Sequence, residues 1–174
     1  MTLAEKARRI KAVVLDIDGV LTDGRIGYGG GANEEIKFFD VKDGHAIAMA
    51  LRGGLLVGAL SGRSSAANRR RAAELKLSFL YEGEKDKTEA FERLLTEQRL
   101  LAEECLYVGD DLVDLPPLRR SGVAVIVADA PGELDEHCDF RTKNPGGRGA
   151  VREVIVWLLK EQGKWEELVK RYLS

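Results

Sequence analysis

An α/β fold, a parallel sheet with crossover helices, is predicted for this chain of 174 residues by three observations. Short apolar runs alternate with amphipathic stretches along most of the sequence, the rhythm of buried parallel strands joined by helices. Acidic residues stand directly after two of those runs, where open α/β sheets bind ligands. The composition, 44% hydrophobic and 32% charged with the signs mixed, is that of an ordinary folded protein of one domain's length.

Taken in order, the apolar runs at residues 12–15, 55–60, 77–80, 106–108 and 123–127 are expected to be strands. Between them, residues 45–52 place Ile47, Ala50 and Leu51 on one helical face, and Gly53-Gly54 supplies the stop. Ser64 or Ser65 can cap the next helix. Asp86-Lys87-Thr88-Glu89 has the spacing of an N-cap acid with an acid three positions on, followed by Phe91, Leu94 and Leu95 on one face. Lys87 therefore belongs to a helix's first turn.

Residues 24–39 break the alternation. Ile26 and Tyr28 precede a Gly29-Gly30-Gly31-Ala32-Asn33 turn, and Ile36 and Phe38 follow it, which predicts a β-hairpin flap too short to make a substantial lid. Near the end, Val151, Val154, Ile155, Leu158 and Leu159 follow helical spacing, and Trp165, Leu168, Val169, Tyr172 and Leu173 repeat it after Gly163. Such stripes are intramolecular core or an interface. The glycine-rich segment 145–149 is the one plausible hinge. The resulting expectation is a three-layer, Rossmann-like parallel sheet with no separate cap domain. Residues 1–174 form one domain, with the flap at about 24–39 and a C-terminal tail at about 145–174.

Charge and cysteine usage narrow the function. A net charge of −2 and a pI near 5.8 offer no electrostatic reason to bind nucleic acid, so a small molecule is the expected partner. Residues 1–11 alternate charged and apolar positions, unlike a signal peptide, and no later segment reads as a membrane span. A cytoplasmic location is expected. Cys105 and Cys138 form no C-x-x-C pair, and His45 and His137 stand apart from them and from each other, which argues against zinc and structural disulfides.

The chemistry is carried by acids. Asp16 and Asp18 follow Val13-Val14-Leu15 and, two residues apart in extended chain, face the same side. Adjacent carboxylates repel, so either one is protonated or a metal lies between them; a hard cation such as Mg²⁺ answers the second case. A second acidic group, Gly109-Asp110-Asp111-Leu112-Val113-Asp114, follows the run at 106–108 and is expected at the same sheet edge, where it can complete a metal site. Asp111 either caps the following helix or touches the metal's waters, and Asp114 either bonds a loop or does the same. Ser61-Gly62-Arg63 ends one strand and Lys87 starts a helix, both toward that edge. Carboxylates, a metal, a hydroxyl with backbone N–H groups and a lysine are what phosphoryl transfer needs, since its catalysis is mainly positioning and charge neutralisation.

The stretches 16–24 (Asp-Ile-Asp-Gly-Val-Leu-Thr-Asp-Gly), Ser61-Gly62-Arg63, Lys87 and Gly109-Asp110-Asp111 resemble, in order, the four motifs of the haloacid dehalogenase-like phosphatases. The long first motif, Phe39-Asp40-Val41-Lys42-Asp43-Gly44 and the ending at 146–153 are similar to the 3-deoxy-D-manno-octulosonate 8-phosphate phosphatase family, over nearly the whole chain. The resemblance implies that Asp16 is the nucleophile that becomes an aspartyl phosphate and that Asp18 protonates the leaving alkoxide and then activates water. It implies Mg²⁺ held by Asp16, the backbone carbonyl of Asp18 and Asp110. Ser61, Gly62 and Lys87 would hold the phosphoryl oxygens. Substrate contacts would come from Asp18, Asp40, Val41, Lys42, Asp43, Gly44, Arg63 and Arg71. The substrate would be a sugar phosphate monoester and the assembly a homotetramer whose C-terminal tail lies near a neighbouring site. Within this pattern Ser61 replaces the commoner threonine, Asp40 stands for asparagine, and Ala48 takes the place of a substrate-binding arginine.

By residue type alone, Arg69-Arg70-Arg71 is a solvated helix face, and Arg71 gains a function only through the resemblance. His45 is left outside the site, because Asp18 already supplies the acid. Two rival enzymes are a phosphatase for a nine-carbon keto acid phosphate of the sialic-acid type and a broad sugar phosphatase. A rival of another class is a receiver-type phosphoaspartate signalling domain, whose phosphoacceptor normally lies on a later strand than its acidic pair.

Overall fold

Residues 12–15 are apolar throughout, with β-branched Val13 and Val14 at the centre, and the strand they form is buried on both faces, as a central parallel strand must be. In the computed structural model, which describes residues 1–31 and 34–173, a short α1 (Leu3–Arg9) leads into this β1 (Ala12–Leu15). Around it, β4 (Leu56–Ser61), β5 (Phe79–Glu82), β6 (Cys105–Gly109), β7 (Val123–Ile126) and β8 (Phe140–Arg141) build a six-stranded sheet in the order β5-β4-β1-β6-β7-β8, every pairing parallel. The two strands beside β1 run in register with it, Leu15 opposite Ala59 and Val108, so the chain leaves β1, β4 and β6 at one edge. β2 (Gly27–Tyr28) and β3 (Glu35–Ile36) form a separate antiparallel hairpin. Its strand positions match the expected flap, and the tip at Ala32-Asn33 lies outside the described residues.

The helices are α2 (Val41–Arg52), α3 (Ala66–Leu75), α4 (Lys87–Gln98), α5 (Leu115–Arg120), α6 (Ala150–Glu161) and α7 (Trp165–Lys170). α2 packs on α6, which also meets α1, while α4 packs on α5. With the sheet between, this is the three-layer, Rossmann-like arrangement expected. Ser65 proves to be the cap of α3, accepting from the Asn68 N–H, and Asp86 caps α4 by accepting from Thr88 and Glu89.

Three elements differ from expectation for local reasons. The strand expected at 77–80 runs from Phe79 to Glu82, because Lys76 turns left-handed (φ 55°) and the Leu77 N–H closes α3 on the Ala72 carbonyl. The helix expected from His45 starts at Val41, since the Asp40 carboxylate caps it through the Lys42 N–H at 2.6 Å. On the flap, the apolar pair points the other way. Ile36 and Phe38 are exposed (43% and 74%), and Lys37 between them faces inward, because the flap's inner side meets the half-buried Asp18 carboxylate rather than the core.

The segment 145–149 is not a hinge. Gly146 and Gly147 lie on the backbone of residues 19–22, with the Gly147 N–H donating to the Val20 carbonyl at 2.9 Å. A Cβ at Gly146 would sit 1.7 Å from the Gly19 carbonyl oxygen, and Gly147 has φ +64°. Only glycine fits there. Beyond it, Val151, Val154, Ile155, Leu158 and Leu159 of α6 are fully buried, each contributing about 1.5–3 kcal/mol. That is core, and Trp165, Leu168 and Val169 of α7 pack against it as well. Among the described residues, no helix is long and apolar enough to cross a membrane.

Candidate active site

The chain leaves β1 at Leu15 and turns at once through a wide, irregular helical turn (Ile17–Leu21) that carries Asp18 and Gly19 in non-helical conformations. Thr22 staples this turn: its hydroxyl donates to the Ile17 carbonyl and accepts from the N–H groups of Gly19 and Gly24. Gly19 has φ +104°, and a Cβ there would lie 2.0 Å from the Asp110 carboxylate. A side chain at Gly19 would therefore push Asp110, which enters from the end of β6, away from Asp16.

The carboxylate oxygens of Asp16, Asp110 and Asp114 approach within 4.8 Å of one another. Burial, then the repulsion of Asp114, raises the Asp16 carboxyl to about 6 against the pull of the Lys87 ammonium. Burial, then the charges of Asp16 and Asp114, raises Asp110 to about 9. The cluster therefore carries more negative charge than Lys87 alone offsets. An all-oxygen, acidic donor set of this kind fits a hard divalent ion, which would relieve the same repulsion.

Lys87, the first residue of α4, is buried and donates to Asp16 Oδ1 at 2.8 Å and to Asp114 Oδ1 at 2.6 Å. Burial opposes its charge, but the two carboxylates outweigh burial and hold the ammonium above its ordinary value. Asp114 is fully committed. Its Oδ1 also takes the Tyr107 hydroxyl at 2.6 Å, and its Oδ2 takes the N–H groups of Asp110 and Asp111. It orients Lys87 and shapes the loop rather than facing a ligand. Asp111 caps the turn after β6 through the Leu112 N–H.

Asp16, Asp18, Ser61, Gly62, Arg63, Lys87 and Asp110 line one open cleft of about 220 Å³ at the carboxyl edge of the sheet. The buried Ser61 hydroxyl accepts from the Arg63 N–H at 3.2 Å, and the Arg63 guanidinium pairs with Glu35 of the flap. Asp40, Val41, Lys42, Asp43, Gly44 and Arg71 do not line this cleft. Arg71 donates to the Asp40 carbonyl and lies over the Phe39 ring, so these residues form one neighbouring cluster around the start of α2. Within it the buried Asp43 carboxylate accepts from Gly149 and Arg152 and caps α6 from outside, while Val41 is 80% exposed.

Comparison with known proteins settles the family. The sequence profile of the haloacid dehalogenase-like hydrolases matches residues 74–155. The 3-deoxy-D-manno-octulosonate 8-phosphate phosphatase KdsC of Escherichia coli K12 is 44% identical over 162 residues, covering 93% of this chain and 86% of that protein. The chain belongs to the 3-deoxy-D-manno-octulosonate 8-phosphate phosphatase family. Solved structures of this family and its kin superimpose closely. The Moraxella catarrhalis phosphatase, in complex with a magnesium ion, a phosphate ion and a KDO molecule, has a TM-score of 0.93 at 35% identity, covering 97% of each chain. A probable YrbI family phosphatase from Pseudomonas syringae has a TM-score of 0.95 at 40% identity, covering 99% of this chain and 97% of that one. Members of the 3-deoxy-D-manno-octulosonate 8-phosphate phosphatase family are phosphoric monoester hydrolases, and the chain is an enzyme of that kind.

Sequence reasoning passed over several residues that surround the family's motifs. Tyr107 sits inside an apolar strand, where a buried phenol demands a partner for its hydroxyl. Glu84 and Lys85, at the mouth of the cleft, carry no local signal. Lys37 and Asn68 carry no local signal of a role: Lys37 stands between the apolar Ile36 and Phe38, and Asn68 is a polar residue behind a helix cap.

Proposed function

We propose that this enzyme hydrolyses 3-deoxy-D-manno-octulosonate 8-phosphate to 3-deoxy-D-manno-octulosonate and phosphate, as a cytoplasmic homotetramer. The observation that carries the reading is a buried Asp16 carboxylate held by Lys87 on the floor of an acidic cleft, in a chain so similar to phosphatases of that substrate. Asp16 attacks phosphorus and the ester P–O bond breaks, the leaving alkoxide taking a proton from the Asp18 carboxyl. Water then attacks the aspartyl phosphate, gives its proton to the Asp18 carboxylate and releases phosphate, which restores both side chains. Ser61, Gly62 and Lys87 hold the transferring oxygens, and Lys87 also fixes Asp16.

Asp16, the Asp18 backbone carbonyl and Asp110 would hold Mg²⁺, which supplies positive charge for the phosphoryl group when bound. Substrate contacts are assigned to Asp18, Arg63, Arg71 and residues 40–44. The last two groups lie outside the cleft of one chain, and the flap presents Tyr28, Ile36 and Phe38 to solvent. A neighbouring subunit's C-terminal tail would cover the open side. Asp18 beside the nucleophile disfavours a signalling receiver, because an adjacent base shortens the life of a phosphoaspartate.

The test is phosphate release from a panel containing this eight-carbon substrate, a nine-carbon keto acid phosphate and common sugar phosphates, with Mg²⁺ present and then chelated. The eight-carbon ester is expected to lead in kcat/KM and chelation to remove activity. A flat ranking, or release undiminished by chelator, would count against the substrate or the metal respectively.

The raised carboxyls predict a thermal signature. A carboxyl whose folded pKa is raised stabilises the fold below its unfolded value near 4 and loses that contribution as pH rises through the folded value. The metal-free protein should therefore lose stability between about pH 4 and about 9, the window set by Asp16 and Asp110. The loss is on the order of several kcal/mol, read as a fall of more than about 10 °C in Tm. Mg²⁺ should raise Tm more at pH 8.5 than at pH 5.5, since at the lower pH it must displace protons. A Tm increment that shrinks with rising pH would contradict the carboxylate site.

A further inference from the structure

A lysine ammonium wholly out of water persists only where acceptors surround it, because desolvating the charge costs several kcal/mol. Lys37, on the flap, has 0% of its side chain exposed. Its Nζ donates to Asp18 Oδ1 at 2.6 Å and to Asn68 Oδ1 at 2.9 Å, with Glu35 Oε2 at 3.7 Å. Two hydrogen bonds and one longer ion-pair contact thus surround the ammonium. Asn68 is itself fixed, its Nδ2 donating to the Arg63 carbonyl and its N–H to the Ser65 hydroxyl. Asp18 Oδ2 is buried and has no hydrogen-bond partner among the described residues.

We propose that Lys37 is the positioning residue of the proton shuttle: by occupying Asp18 Oδ1 it fixes the carboxyl plane and leaves Oδ2 as the oxygen that exchanges protons with the leaving group and with water. The inference rests on the reading of Asp18 as acid and base. A carboxyl free to rotate about its last bond would offer either oxygen in a spread of directions, whereas proton transfer needs one oxygen within hydrogen-bond reach of the leaving atom. The flap is then more than a cover. It carries into the site the cation that aims the acid, and Glu35 of the same strand joins that cation to Arg63 at the cleft mouth.

Lys37→Met keeps the length and removes the donor. With an alkyl phosphate, kcat is expected to fall about 10²-fold with KM within about threefold, the size of a misdirected acid–base group. With p-nitrophenyl phosphate, whose phenolate leaves unprotonated, the first nitrophenolate per site should be released within about threefold of the parent rate. Steady turnover of that ester should still drop, because water attack on the aspartyl phosphate needs Asp18. A packing role alone would slow burst and turnover together, and that result, or an unchanged alkyl kcat, overturns the proposal. Lys37→Arg should recover part of kcat. If Lys37→Met does not fold, Asn68→Ala, which removes one of the lysine's acceptors, is measured in the same way with a smaller effect expected, and the same two results overturn the proposal. Asp18→Asn separates the two readings. Retained alkyl turnover in Asp18→Asn defeats the acid itself, whereas its loss alongside a parental Lys37→Met defeats only the role of Lys37.

Discussion

Asp16→Asn is expected to abolish phosphate release while raising the stability of the metal-free protein. The amide cannot form the covalent intermediate, so turnover should fall by at least about 10⁴-fold, as when other covalent nucleophiles are removed. Stability should move the other way. Asp16 is buried against Asp110 and Asp114; Asp114 raises the proton affinity of Asp16, and Asp16 and Asp114 together raise that of Asp110. Removing one charge relieves this repulsion, and Lys87 keeps its 2.6 Å bond to Asp114. A gain on the order of 1–2 kcal/mol at neutral pH is expected, read as a higher Tm in chelator. Turnover above about 1% of the parent's would remove Asp16 from the nucleophile's role.

Lys87→Met should lose both activity and stability. The lysine is the cation shared by Asp16 and Asp114, each bonded at under 3 Å with almost no solvent access. Taking away one partner of a buried ion pair leaves an uncompensated charge, at a cost of about 3–5 kcal/mol. Denaturant unfolding should report that loss, and kcat should fall about 10²–10³-fold because the phosphoryl charge and Asp16 both lose their donor. The double variant Asp16→Asn/Lys87→Met should recover part of the stability, since one of the stranded carboxylates is gone. Equal destabilisation of the single and double variants would show that Lys87 acts through packing instead.

Strand and helix identities were legible because each rests on a local cause. Val13-Val14-Leu15 could only be a buried strand, and Asp86 announced the start of α4 and with it the place of Lys87. The cleft followed, since acids at the ends of parallel strands share one edge whatever the helices do. What stayed hidden was tertiary. The inward turn of Lys37 reverses the flap's apolar pattern, and its reason, the Asp18 carboxylate, lies on another element. Asp40 capping α2 and Asp43 capping α6 look alike in sequence, yet one acts within its own helix and the other across to a helix formed more than a hundred residues later.

The seat of Gly146 and Gly147 on the loop at 19–22 gives this enzyme an order of birth. The loop bearing Asp16 and Asp18 is synthesised more than a hundred residues before the glycines that close against it. At about 5–20 residues per second, the loop waits on the order of ten seconds for its partner. Until residues 146–147 have emerged, the loop at 19–22 lacks the backbone it rests against, so the finished site forms in one late step rather than growing with the chain.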